Sequence, residues 1–255
     1  MKRYKKDQHF LIDKLALDRI IEYGKLCVSD TVLEIGAGYG NLTEKIAGKA
    51  GRVIAIEADP ELVASLYGLK NVEVIVGDAM KVDFPEFNKV ISNLPYSISS
   101  PVTFKLLSSR FEFGILMYQY DFAKRMVATP GGKDYGRLSV TVQHYADVEI
   151  LEVLPPASFS PAPEVKSAIV KLVPRPPPYT VKDEDFFMKF IKAAFSQRRK
   201  KLRNAILNNA NFLGISDGAI LKLPEELLAK RAETLSPQEL ANIADILYEE
   251  KFKHL

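Results

Sequence analysis

Four short segments carry side chains whose types and spacing could do chemistry, and each follows a run with strand character. The first is Glu34-Ile-Gly-Ala-Gly-Tyr-Gly-Asn41. Glycines placed after a strand let the backbone pass close beneath a ligand, and they open a helix whose N-terminus favours an anionic group. The second is Glu57, seventeen residues after Gly40, where a carboxylate can accept hydrogen bonds from both hydroxyls of a ribose. The third is Gly77-Asp-Ala79: Asp78 either accepts a hydrogen bond from an adenine amino group, with Ala79 leaving room for the ring, or caps a helix. Gly36-x-Gly38-x-Gly40 departs from the dinucleotide spacing G-x-G-x-x-G, and no Gly-Lys-Ser/Thr follows to hold a triphosphate. Taken singly, the glycine turn could be a tight connection with no ligand. A glycine turn, a ribose acid and an adenine acid at three successive strand ends together suit S-adenosyl-L-methionine as cofactor.

The fourth segment is Asn93-Leu-Pro-Tyr96. An amine attached to an aromatic ring is a poor nucleophile, because its lone pair is delocalised. Two acceptors repair this: the Asn93 side-chain oxygen and the Leu94 carbonyl, held by the fixed φ of Pro95, can each take an N–H and draw the amine toward tetrahedral geometry. Tyr96 can stack on the purine. No general base is needed before attack, since the proton leaves after methyl transfer, and the absence of a candidate His or Cys nucleophile is consistent with this.

These residues need a sheet to hold them. Strand patterns at Thr31–Ile35, Arg52–Ile56, Val72–Val76, Lys89–Ser92 and Gly114–Tyr118 alternate with helical patterns at 13–23, 41–47, 60–67, 101–107 and 121–127, the alternation of a parallel α/β sheet. Two more strands are expected at 148–153 and 168–173. Gln8-His-Phe-Leu11 must dock on something. Pro174-Arg-Pro-Pro-Pro178 interrupts any regular element, and only helical patterns follow, at 184–195, 197–208, after Pro224 and at 237–251. The expectation is a catalytic, cofactor-binding sheet domain over 1–175 and a small all-helical domain over 179–255.

Composition sets the outer bounds. The 255 residues are 47% hydrophobic and 26% charged, with a net charge of +3, which suits a globular protein and excludes disordered and fibrous classes. A soluble, cytoplasmic protein is expected, because the sequence contains neither a membrane-spanning run nor an apolar leader. Cys27 is the one cysteine, a buried small hydrophobe by expectation, and His9, His144 and His254 lack metal-ligand spacing, so no metal is expected. Charge is concentrated in Met1-Lys-Arg-Tyr-Lys-Lys6 and in Arg198-Arg-Lys-Lys-Leu-Arg203. On a helical wheel Phe195, Leu202, Ile206 and Leu213 share one stripe, leaving the cations to face phosphates, or to pair with acids such as Asp183 and Asp185. Arg198, Arg199, Lys200, Lys201 and Arg203 are therefore the candidate RNA-binding residues. No apolar heptad run points to an obligate dimer, and a monomer is expected.

On these residues the sequence resembles the KsgA-type ribosomal RNA adenine dimethyltransferases of the archaeal and eukaryotic branch. The resemblance covers nearly the whole chain. It runs through Gln8-His-Phe-Leu11, Glu34 to Thr43, Val53-x-Ala-Ile-Glu57, Gly77-Asp-Ala79, Asn93-Leu-Pro-Tyr96 with Ile98-Ser99, Phe159-x-Pro-x-Pro-x-Val-x-Ser-Ala168, and Phe195-Ser-Gln-Arg-Arg-Lys200 with Leu202-x-Asn204. It implies a class I, Rossmann-like methyltransferase fold and dimethylation at N6 of two adjacent adenosines in the 3′-terminal hairpin loop of small-subunit rRNA, within a mature or precursor small ribosomal subunit. It also implies that His9, Leu11, Gly36, Gly38, Glu57, Asp78, Ala79 and Asn93 bind the cofactor and that Asn93, Leu94, Pro95 and Tyr96 hold the target adenine. Bacterial members usually carry Asn at the position of His9. Phe159 is either a second wall opposite Tyr96 or part of the core. Two other readings stay open: an Erm-like methylase of large-subunit rRNA, and a ribosome-assembly factor that mainly binds.

Overall fold

A computed structural model describes residues 8–252; the basic segment Met1–Lys6 and His254 lie outside the described residues. The chain forms two compact units. One runs to Ala123 and resumes over Ala146–Pro174, and the other comprises Lys124–Tyr145 and everything from Arg175 onward.

The first unit is built on β1 (Phe10–Leu11), α1 (Lys14–Gly24), β2 (Thr31–Ile35), α2 (Asn41–Ala47), β3 (Arg52–Glu57), α3 (Pro60–Val63), β4 (Val72–Val76), β5 (Lys89–Asn93), α4 (Ser99–Leu107) and β6 (Phe113–Gln119). After α5 (Tyr120–Met126) and α6 (Arg137–Tyr145) come β7 (Ala146–Leu154), β8 (Phe159–Ser160) and β9 (Ser167–Pro174). Seven strands make one sheet in the order β4-β3-β2-β5-β6-β9-β7. From β4 to β6 neighbours run parallel, and β9 is antiparallel to both β6 and β7. Val32, Leu33, Val53, Ile54, Val90 and Ile91 are fully buried, as continuous apolar runs in a parallel sheet covered on both faces must be.

This strand order fixes where a ligand can sit. From β2 the chain crosses outward to β3 and β4, then returns to the other side of β2 as β5. The crevice at the C-terminal ends of β2 and β5 is a topological switch point, the place where such sheets bind ligands. The docking partner of Gln8–Leu11 is also here. β1 pairs antiparallel with β8, Leu11 opposite Phe159, and the Ile12 and Asp13 amides both donate to the Ser158 carbonyl at 2.9 and 3.2 Å. Asp13 then caps α1, accepting from the Ala16 amide.

The second unit packs α6 with α7 (Glu184–Ala194), α8 (Leu202–Leu207), α9 (Ala210–Leu213), α10 (Asp217–Ile220), α11 (Glu225–Ala229) and α12 (Pro237–Phe252) around Phe187, Phe190, Leu235, Leu240 and Leu247. Two expectations are corrected here. Residues 124–145, placed by sequence in the sheet domain, belong with the helices: Tyr135 and Val140 are fully buried in the helical core, and the Tyr135 hydroxyl donates to the Leu235 carbonyl at 3.0 Å. The helix expected over 197–208 is instead a turn over 195–200 followed by α8. Lys201 is extended, and the Leu202 amide donates to the Lys230 carbonyl at 2.7 Å rather than to a carbonyl four residues back. Four consecutive cations repel one another in any regular turn of helix. Phe195, Leu202, Ile206 and Leu213 are nevertheless all buried in one core, although they come from the end of α7 and from α8 and α9.

Candidate active site

At the switch point a cavity of about 170 Å³ is lined by the strap Gln8–Phe10, the ends of β2 to β5 and the turn Asn93–Ile98. His9, Gly36, Gly38, Glu57, Asp78, Ala79, Asn93, Leu94, Pro95 and Tyr96 all line it, so ten of the sequence candidates meet in one place. Each is set there by a local feature. Gly36, Gly38 and Gly40 have φ of 76°, 57° and 88°, a left-handed run that residues with a Cβ resist. Space demands glycine as well: a Cβ on Gly36 would lie 3.0 Å from the Pro95 ring, and one on Gly38 would lie 2.8 Å from the Phe10 ring. The glycine turn thus lies against both the Asn93–Ile98 turn and the strap.

Glu57 is nearly buried, and its two oxygens accept from the Gly38 and Asp59 amides, each at 2.8 Å. This pins the carboxylate at the end of β3 while leaving further lone pairs for ligand hydroxyls. Asp78 accepts the Met80 amide with Oδ1 at 2.9 Å. It therefore closes its own turn as an Asx residue, and Oδ2 has no partner among the described residues.

Asn93 ends β5 and is oriented from across the cavity. Its Nδ2 donates to the His9 carbonyl at 2.9 Å, which commits the amide nitrogen to the strap and leaves Oδ1 as a free acceptor among the described residues. Pro95, with φ −56° and ψ 130°, turns the chain into the 3-10 turn Tyr96–Ile98. Tyr96 is tethered through its hydroxyl to Ser167 Oγ at 2.6 Å, and its ring centroid lies 5.5 Å from that of His9 at an interplanar angle of 32°. The His9 ring is in turn held by Nδ1 against the Pro161 carbonyl at 2.8 Å.

Two candidates sit elsewhere. Phe159, left open by sequence between adenine wall and core, is a core residue: it is 3% exposed, packed with Leu11, Leu17 and Leu154, and does not line the main cavity. Leu11 lies in the same core and lines a neighbouring cavity of about 30 Å³ rather than the main one. That small cavity is also lined by Glu34, Asn41, Tyr39 and Asn93. Glu34 is fully enclosed with Oε2 unpartnered. Burial, opposed by the Thr43 hydroxyl and reinforced by the charge of Glu57, pushes its carboxyl up to about 8.

Gln8, Phe10 and Asp59, to which sequence reasoning assigned no role, also line the site. Gln8 Nε2 donates to Asp59 Oδ2 at 3.4 Å, both residues lining the cavity, and Phe10 packs on Tyr39 with ring centroids 4.6 Å apart. For Gln8 and Phe10 the signal was present only as the stretch Gln8–Leu11 with no local role. Cys27, expected in a core, is exposed. Among the described residues no group of three or more His, Cys, Asp or Glu side chains could hold a metal ion, and no helix is long and apolar enough to cross a membrane.

In the helical unit the basic run separates by partner. Arg198 donates to the Lys133 and Tyr135 carbonyls at 3.0 and 2.9 Å and pairs with Glu233, so it fastens the 133–135 loop rather than standing free. Arg203 pairs with Glu225 at 3.4 Å. Asp183 is occupied as the cap of α7, accepting from the Phe186 amide. Arg199, Lys200 and Lys201 are exposed with no side-chain partner among the described residues.

The donor set fits S-adenosylmethionine: carboxylates for ribose and adenine, a glycine turn that admits close backbone approach, and an enclosed orphan carboxyl beside it. Comparison with known proteins agrees. A family model described as ribosomal RNA adenine dimethylase matches residues 1–246. The chain is 56% identical over 254 residues to a protein of Methanosarcina mazei described as "Probable ribosomal RNA small subunit methyltransferase A", covering 97% of this chain and 94% of that one. The corresponding protein of Methanosarcina acetivorans is 58% identical over 251 residues, covering 96% and 93%. Among solved structures, a dimethyladenosine transferase from Plasmodium falciparum superposes with a TM-score of 0.80 at 32% identity, covering 97% of this chain and 99% of that one. The 23S rRNA methyltransferase ErmE shares the fold, with a TM-score of 0.67 at 24% identity over 94% of this chain and 99% of that one.

Proposed function

The chain belongs to the ribosomal RNA adenine dimethylase family, and from that premise we propose that it dimethylates N6 of two adjacent adenosines in the 3′-terminal hairpin loop of small-subunit rRNA. One observation carries this reading. Asn93 brings an amide oxygen with no partner among the described residues to the cavity that Tyr96 also lines, at the same end of the sheet as the two carboxylates suited to a nucleoside cofactor. S-adenosylmethionine, when bound, supplies an electrophilic methyl group on a sulfonium.

The protein's own part is positioning and polarisation. Glu57 would hold the ribose hydroxyls and Asp78 Oδ2 the adenine amino group of the cofactor, and the glycines at 36 and 38 would let the backbone come close to it. On the substrate side, Tyr96 stacks on the target adenine, while Asn93 Oδ1 and the Leu94 carbonyl accept the two N–H bonds of its amine. That pulls the nitrogen out of conjugation and aims its lone pair. A methylated amine would carry a positive charge and an acidic N–H whose proton passes to solvent water, so no strong base is required. Adenine must leave its stack to enter, at a cost of roughly a few kcal/mol that is lowest in a loop, which favours a hairpin-loop substrate. Arg199, Lys200 and Lys201 grip phosphates and orient the RNA without reading sequence. We place this activity in the cytoplasm, on a precursor or mature small subunit, with the protein acting as a monomer.

The test is transfer of label from S-adenosylmethionine to purified small and large subunits offered separately. Label in small-subunit rRNA as N6,N6-dimethyladenosine is expected. Label confined to large-subunit rRNA would move the assignment to the Erm-like reading.

A further inference from the structure

Lys105 lies two turns into α4 and reaches back to the loop that carries Asp78. Its Nζ donates to the Ala79 carbonyl at 2.8 Å and also to the Val82 carbonyl, and it stands 4.2 Å from the centre of the Phe84 ring. Two carbonyls and an aromatic face make a complete shell for an ammonium, which has three donors and favours a ring face. Among the described residues the same short loop is otherwise closed on Asp78: its carbonyl accepts the Lys81 and Val82 amides at 2.8 and 3.0 Å, and its Oδ1 accepts the Met80 amide at 2.9 Å. Inside such a loop the Ala79 and Val82 carbonyls face one another's negative ends, and the lysine gathers them as a bound cation would.

The consequence falls on the Asp78 carboxylate oxygen that has no partner among the described residues. Asp78 Oδ2 can be aimed only as well as the turn beneath it is fixed. Lys105 also ties that turn to the catalytic side, because α4 begins at Ser99, which donates through Oγ to the Pro95 carbonyl at 3.4 Å, next to the Ile98 amide on the same carbonyl at 3.2 Å. The geometry points to Lys105 as the positioning residue that sets recognition of the cofactor's purine, holding Asp78 and Ala79 in the arrangement that accepts a 6-amino group. This rests on the reading of the cavity as an S-adenosylmethionine site.

The test measures discrimination by titration calorimetry, using S-adenosylhomocysteine and its S-inosyl counterpart, in which a 6-oxo group replaces the amine. The wild-type protein is expected to prefer the adenosyl ligand strongly, since the 6-oxo group offers Asp78 no donor. Lys105→Met is expected to weaken the adenosyl ligand by about tenfold, equivalent to about 1.4 kcal/mol, while leaving the inosyl ligand nearly unmoved, so that the preference collapses. Lys105→Gln, which keeps one neutral donor, falls between and serves as the readout if the methionine variant does not fold. An equal loss for both ligands in Lys105→Gln and Lys105→Met, or an unchanged preference, overturns the inference, because a merely structural residue would do just that. Failure of the wild-type protein to bind either ligand is a different result: it removes the cofactor reading itself and this inference with it.

Discussion

Glu34→Gln should make the protein more stable at neutral pH and should remove a pH dependence. In the folded protein the enclosed carboxyl holds its proton up to about 8, against an ordinary value of 4.5. Between those values unfolding releases a proton, so raising the pH favours the unfolded chain. The contribution of Glu34 is fully present below about 4.5, falls through the window and levels off above 8. The slope is about 1.4 kcal/mol per pH unit, so the span from pH 6 to pH 7.5 costs about 2 kcal/mol. His144 runs the other way: burial lowers its pKa, so its contribution is present above its ordinary value of 6.5 and is lost as the pH falls below that toward the lowered value. Measuring the difference between wild type and variant cancels it. Urea unfolding at pH 6, 7 and 8 is the assay. The stability gap in favour of the variant should widen by about 1 kcal/mol or more per unit; a gap that stays constant would refute the claim that Glu34 is held neutral.

Three further outcomes are expected. Gly38→Ala puts a methyl 2.8 Å from the Phe10 ring at a φ of 57°, so it should weaken S-adenosylhomocysteine binding at least about tenfold, and an unchanged affinity in titration would contradict the role given to the turn. Asn93→Asp sets a carboxylate oxygen where an amide now donates to the His9 carbonyl at 2.9 Å, so methyl transfer should fall steeply at pH 8 and recover in part at pH 5.5; a flat ratio to wild type across that range would count against the strap's orienting role. Charge reversal at both Lys200 and Lys201 should weaken binding to small subunits and make it less salt-dependent, the log–log slope falling by about 0.7 to 0.9 for each phosphate the protein no longer neutralises, with cofactor affinity unmoved. Equal loss of both affinities would place these lysines in the fold instead.

The parallel sheet was legible because β2 to β6 are near-continuous apolar runs separated by turn residues, and the cavity at its ends was legible because Glu57 and Asn93 end strands while Gly36 and Asp78 follow one within two residues. What the sequence hid depends on long-range pairing. Nothing local in Gln8–Leu11 says that it lies along Phe159–Ser160 and lends a carbonyl to Asn93, and Phe159 was undecidable because its burial is settled by that same pairing. The 124–145 segment was misplaced because α6, carrying Val140, is amphipathic toward a core assembled from residues beyond Arg175. Arg198 read as a phosphate ligand because its true partners, two carbonyls and Glu233, are 35 or more residues away in the chain. The Lys105 anchor left no motif, since backbone carbonyls are present at every position.

The central claim is that Asn93 Oδ1 captures and polarises the adenine amine at this cavity. It is tested most directly by incubating wild-type and Asn93→Ala proteins with small subunits and labelled S-adenosylmethionine and counting N6,N6-dimethyladenosine. The wild-type protein should form it, and Asn93→Ala should fall by about 10²- to 10³-fold, the usual loss for one preorganised polar group aimed at a reacting atom, while still binding S-adenosylhomocysteine. Dimethyladenosine formed by Asn93→Ala at the wild-type rate would contradict the account.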